Sequence, residues 1–191
     1  GLNRVAFPIG GIGAGMFCLE GAGAISHVSV RHQMQAFNEP LAFAAISIMG
    51  DEGSSALARV VEGPIPDWKY FGRPGSANGG GGTTYGLPRF RDAKFLARFP
   101  FGRILLTDPE IPVEVEIVGW SPFTPPDPDP SSLPLGAIEY RFRNRADRAR
   151  RAVFSFHASN FMGNGPIEGI QGGFVLRESK GGPAFAFFMR D

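Results

Sequence analysis

The sequence contains one cysteine, Cys18, so no intrachain disulfide can staple the fold. Cys18 lies in an apolar stretch and reads as a buried, inert thiol. No apolar run approaches the roughly 18–20 residues that a membrane-spanning helix needs. Charge of one sign is also lacking: 19 basic residues face 18 acidic ones, a net charge of +1. Such a chain has no overall field to draw nucleic acid or an anionic membrane, and neither partner is expected. No Asn-x-Ser/Thr sequon and no signal peptide are visible, although the chain opens Gly1-Leu2-Asn3 without a methionine. Helical periodicity is almost absent.

What is present is glycine (27), proline (17) and phenylalanine (18), in a chain that is 43% hydrophobic and 19% charged. That balance is globular, and 191 residues can bury a real core. Glycine and proline punctuate turns and are poor inside helices. Alternation of apolar and polar residues, the mark of half-buried strands, is frequent. In Val113-Glu114-Val115-Glu116-Ile117 the carboxylates face one way and the aliphatics the other. Ile138-Glu139-Tyr140-Arg141-Phe142-Arg143 repeats the code, and Ala152, Phe154 and Phe156 share one face of another segment. Ten or more strands are expected, with candidates near 14–20, 24–36, 41–49, 56–62, 92–99, 101–107, 112–119, 135–143, 150–159, 170–178 and 183–189. The fold class is therefore all-β, a large antiparallel β-sandwich whose two sheets would bury the phenylalanines between them.

Three segments interrupt the alternation. Residues 10–15 are a glycine cluster, 72–86 a glycine-rich stretch without strand signal, and 121–134 a stretch with six prolines. Similar strands flank the last one, which favours a long stiff loop of the sandwich over a domain linker.

The glycine cluster does not have nucleotide-loop spacing. Met16 and Cys18 stand where the third glycine of a dinucleotide fingerprint belongs, and no Lys-Ser/Thr follows. A tight turn or a close backbone crossing is the better reading. His27, His32 and His157 show no metal-ligand spacing and read as structural, so neither metal nor cofactor is expected. Glycosidase chemistry needs two carboxyl groups. Glu20, Glu39, Asp67, Asp92 and Glu168 lie in or near loops, but their spacing selects no pair, and Glu114, Glu116 and Glu139 fit a solvent-facing sheet surface. Aromatic rings beside loops can stack on the apolar face of a sugar. Trp68, Tyr85 and Trp120 are the candidates for that role, with capping of the sandwich ends as the structural alternative.

Several stretches together resemble the N-terminal region of glycoside hydrolase family 116, which includes bacterial β-glucosidases and the non-lysosomal glucosylceramidase. They are Pro8-Ile9-Gly10-Gly11-Ile12-Gly13-Ala14-Gly15, His27 to His32, Phe37-Asn38-Glu39-Pro40, Phe43-Ala44-Ala45-Ile46, Val61-Glu62-Gly63-Pro64 and Pro66-Asp67-Trp68. Trp120-Ser121-Pro122-Phe123, Ser131 to Pro134 and Glu139 to Asn144 continue the likeness. The long glycine-rich segment is that of the bacterial members.

The resemblance implies an N-terminal β-sandwich followed by an (α/α)6 catalytic barrel that cleaves β-glycosidic bonds with retention of configuration. It places the nucleophilic Glu and the acid/base Asp in the barrel, so no catalytic residue carries over to this chain. Residues 1–191 are then expected to be one sandwich domain, incomplete at its C-terminal end and inactive alone. The expected partners are the barrel and a carbohydrate or glycoside, and the protein is expected to be soluble. A stand-alone carbohydrate-binding module, a purely structural domain and a complete small enzyme are the rival readings.

Overall fold

The structure is a computed structural model that describes residues 2–30, 34, 39–50, 55–71, 84–158, 171–179 and 182–190. The described chain divides into two compact units, Gly1–His157 and Ala158–Asp191. In order, the first unit carries β1 (Ala6–Gly11), β2 (Gly15–Glu20), β3 (Ile25–Ser29), β4 (Ala42–Ile48), β5 (Leu57–Val60), α1 (Asp67–Phe71) and β6 (Asp92–Arg98). It continues with β7 (Phe101–Thr107), β8 (Val113–Trp120), α2 (Pro128–Ser131), β9 (Ala137–Asn144) and β10 (Ala152–Ala158), whose last residue begins the second unit. The second unit contains β11 (Gln171–Ser179) and β12 (Gly182–Arg190), an antiparallel pair in register from Gln171↔Arg190 to Ser179↔Gly182.

The first unit holds three sheets, ordered β1-β2-β3, β10-β4-β5 and β6-β7-β8-β9. The four-stranded sheet is an antiparallel meander of consecutive strands. Its inward face follows the alternation of the sequence. Ile104 and Leu106 of β7 stand opposite Ile117 and Val115 of β8, and Tyr140 and Phe142 of β9 follow in register. The four aliphatics join Phe7, Ile9 and Leu19 of the first sheet and Ala44, Ile46 and Ile48 of the second in one core cluster, with Tyr140 packed against it and Phe142 left exposed. Each fully buried aliphatic contributes about 1.5–3 kcal/mol relative to exposure, so this shared core is what holds the three sheets together.

The outward face carries the charges. Glu116 accepts from Arg103 Nε at 3.0 Å and from Arg141 Nη1 at 3.2 Å. The two guanidiniums hold its carboxyl below the usual carboxylate range, Arg103 most of all. Glu114, Glu116 and Glu139 thus occupy the solvent face that their spacing predicts.

All eleven expected strands are present, but two expectations need correction. The glycine cluster hides a strand, β1, because Pro8 and two glycines dilute its alternation of buried Phe7 and Ile9. The phenylalanines are not all interior: Phe99, Phe101, Phe142, Phe154 and Phe156 are exposed, while Ile and Val fill most of the core. β-Branched side chains pack closely on a pleated face, which leaves the larger rings to the sandwich edges. Residues 31–33 and 35–36 of the expected 24–36 strand region, like most of the 72–86 stretch, lie outside the described residues.

The glycine cluster is both a turn and a crossing. Ala14 N–H donates to Gly11 O at 3.1 Å, closing the β1–β2 turn, with Gly13 at φ +74° where L side chains are strained. Ile12 N–H donates to Ser131 O at 2.9 Å, so this turn is bonded to the proline-rich stretch. That stretch is an ordered loop of the first unit rather than a linker. Asp127 caps α2 by accepting from Asp129 N–H, and buried Ser131 ties Thr124 to Asp127. A Cβ on Gly11 would sit against the carbonyl oxygens of Ser132 and Leu133. Gly11→Ala is therefore expected to destabilise the unit by about 1–3 kcal/mol by overpacking. Urea unfolding checks this, and a midpoint equal to that of the parent would contradict the crossing.

Candidate functional site

The end of the first unit away from the β1–β2 turn holds a polar cavity of ≈ 150 Å³. Glu20 ends β2, five residues from Gly15, or about 17 Å along the strand at ~3.3–3.4 Å per residue. Glu62 follows β5, where Val61 N–H donates to Ala44 O and Glu62 O accepts from Phe90 N–H. These backbone bonds fix Glu62 and the Arg89-Phe90 segment against the core. Lys69 sits on α1, a single turn set by Lys69 N–H donating to Pro66 O. The segments at 39–40, 62–64 and 66–69, far apart in sequence, thus line one space.

The charges in it are paired and mostly buried. Lys69 Nζ donates to Glu20 Oε2 at 2.6 Å and also to Glu39, and the Lys69 side chain is 3% exposed. Tyr85 Oη donates to Glu39 Oε2 at 2.7 Å. Arg89 Nε donates to Glu62 Oε2 at 3.2 Å, while its Nη atoms reach Thr84 and Leu87 O. Burial, then the Glu39 carboxylate, holds the Tyr85 phenol well above its ordinary range, so it remains a donor. Burial also pushes Glu62 above the usual carboxylate value, against the opposing pull of Arg89 and Lys69. With three carboxylates and two cations, the formal charge of the cluster is −1 when all are ionised.

The sequence-derived candidates separate. Tyr85 lines the cavity. Trp68 neighbours it on α1, but its indole N–H donates to Asn3 O and Arg4 lies over its ring at 4.2 Å from the centroid. Trp120 is elsewhere: it ends β8, pairs with Phe101 and Ala137, and donates from Nε1 to Glu139 at 2.8 Å. It opens the loop that bonds to the glycine turn. The loops at 10–15 and 120–134 therefore meet each other, while the described parts of 66–86 lie at the Glu20 end.

Of the loop carboxylates, Glu20 and Glu39 come together on Lys69, and Asp67 and Asp92 stay outside the cavity. Glu168 lies outside the described residues. A glycosidase acid/base pair needs one carboxyl able to deliver a proton and a second poised at the anomeric centre. Here each cavity carboxylate already bonds a cation. Lys69, Glu62 and Arg89 escaped the sequence reading. Partners 27 and 49 residues apart leave no local spacing signal, and a lysine between aromatic residues reads as solvent-facing.

The described histidines have local partners. His157 Nε2 is 2.9 Å from Ser155 Oγ and its ring stacks on Phe43, while His27 Nδ1 is 2.7 Å from Ser26 Oγ. His32 lies outside the described residues. Among the described residues no group of three or more His, Cys, Asp or Glu could hold a metal, and no helix is long and apolar enough to cross a membrane. Cys18 is buried, and burial, with Glu20 nearby, pushes its thiol up.

A search of curated proteins finds no match to the chain. A family model described as beta-glucosidase 2, glycosyl-hydrolase family 116 N-term, matches residues 6–186. The match spans nearly the whole chain, and the chain belongs to the family of glycosyl-hydrolase family 116 N-terminal domains.

Proposed function

We propose that this domain is the noncatalytic N-terminal part of a retaining β-glucosidase, packs on a separate catalytic barrel and lends side chains to the rim of its active site. The observation that carries the reading is the family match across residues 6–186. The pairing of Glu20, Glu39 and Glu62 with cations supports a binding rather than a proton-transferring role. Exposed Leu96, Phe99 and Phe101 at the β6–β7 turn suit a surface that packs on another domain. The substrate is a β-glucoside, and Trp68, Tyr85 and Trp120 are the proposed sugar or aglycone contacts.

The test is alanine replacement of each aromatic residue in the intact glycosidase, with kcat/KM measured on an aryl β-glucoside and on a disaccharide. Tyr85→Ala and Trp68→Ala are expected to lower kcat/KM by about tenfold, the scale of one lost stacking or hydrogen-bonding contact. The effect should be larger for the disaccharide, whose second ring reaches further along the rim. Unchanged values for all three variants on both substrates would remove the rim role. A carbohydrate-binding module acting without a barrel is the second reading, favoured by the presence of a formed polar cavity in this unit.

A further inference from the structure

We propose that the Lys69 cavity is a noncatalytic binding site for one neutral, hydroxyl-rich ring, a single pyranose. This rests on the reading above only for the choice of a sugar among polyols.

The argument begins with unused hydrogen-bonding capacity. Glu20 and Glu62 are each 7% exposed, and both line the cavity. Lys69 and Arg89 engage Oε2 of each, whereas no hydrogen bond from the described residues reaches either Oε1. Neither oxygen is sealed away from solvent, so each can accept from a ligand hydroxyl or an ordered water in the cavity. The site is therefore rich in acceptors and suits a ligand that donates.

Charge and shape narrow the class. The cluster has a formal charge of −1, so an anionic ligand is repelled. Both cations are already committed to carboxylates, so a phosphate or carboxylate ligand would have to break ion pairs to bind. Ile25, Phe43 and Pro64 supply apolar wall beside the charges. A pyranose presents hydroxyls at its edge and C–H groups on its face, which matches that division. The volume of ≈ 150 Å³ equals about five waters at ~30 Å³ each, the bulk of one ring and too little for an oligosaccharide. The charged walls are cross-braced, from Glu20 through Lys69 to Glu39 and Tyr85, so the acceptors are held in place before a ligand arrives.

The test is a titration of the 191-residue chain, followed by amide NMR shifts, with D-glucose, glucosamine and glucose 6-phosphate as probes. Glucose is expected to give saturable shifts at residues 62–69 and 84–89, with glucose 6-phosphate at least about tenfold weaker. In Glu62→Gln, which keeps an acceptor for Arg89, glucose affinity is expected to fall about fivefold or more. Tyr85→Phe loses a wall hydroxyl without removing a charge, and a few-fold loss is expected there. No saturable shift with glucose, shifts confined to another face, or tighter binding of the phosphate would each overturn the proposal and identify the cavity as a water-filled charge network. Stronger binding of glucosamine than of glucose by tenfold or more would overturn it in favour of a cation site. Failure here leaves the kinetic test of the rim untouched, since that test reads turnover in the intact enzyme and this one reads binding without turnover.

Discussion

Lys69→Ala is expected to be among the most damaging single substitutions in the domain, costing about 3–5 kcal/mol. The side chain is 3% exposed and donates to both Glu20 and Glu39. Removing it leaves two carboxylates in a mostly buried site, one of them, Glu20, with a side chain only 9% exposed. The damage is the cost of stranding those charges rather than the worth of the ion pairs themselves. That distinction can be measured. The triple variant Lys69→Ala, Glu20→Gln, Glu39→Gln removes the stranded charges with the cation, and it should regain a substantial part of the loss. Urea unfolding of the parent, single and triple variants reads both effects. A single-variant loss below about 1 kcal/mol, the range of an exposed ion pair, would show that the pairing contributes little.

Phe90→Ala should cost about as much, roughly 3–5 kcal/mol, by a different route. Phe90 is 1% exposed and is the largest of the fully buried side chains among the described residues. It is part of the core cluster that joins the three sheets, and its N–H donates to Glu62 O. Truncation leaves a cavity in the core next to the backbone that carries Arg89 and bonds Glu62 O. Stability should therefore fall, and Arg89 should lose its fixed position. The second effect appears as broadened NMR signals at residues 84–90 under conditions where the protein remains folded. Phe99→Ala is the control, because Phe99 is 58% exposed and its loss should be less than half as large. Equal losses at the two positions would mean that the core is not where the burial pattern puts it.

The strands were legible because their cause is local. In β8 the alternation of Val113, Val115 and Ile117 with Glu114 and Glu116 is enough to orient the strand, whatever lies across the core. β1 was not legible, since its buried residues, Phe7 and Ile9, are flanked by proline and glycines whose purpose is a turn and a crossing against Ser132 and Leu133. The glycines point to a turn or a crossing, but the segment they cross is a tertiary fact with no trace in spacing. The cavity shows the same limit. Tyr85 was readable as an aromatic residue beside a loop, but its acceptor Glu39 lies 46 residues away. Glu20 and Glu39 were visible as loop carboxylates, and only the fold brings them to the same lysine. Trp68 and Trp120 looked equivalent in sequence, yet one stands beside the cavity and the other on the outer face of the four-stranded sheet.

The central claim is that this domain binds and positions but performs no proton transfer or nucleophilic attack. The most direct test is kcat of the intact glycosidase carrying Glu20→Gln, Glu39→Gln or Glu62→Gln, measured on 4-nitrophenyl β-D-glucoside with folding verified by circular dichroism. The expected result, if the proposed noncatalytic role holds, is a kcat within about tenfold of the parent for each variant. A folded variant whose kcat falls by about a thousandfold or more, the mark of a lost catalytic carboxyl, would place the chemistry in this domain and contradict the account.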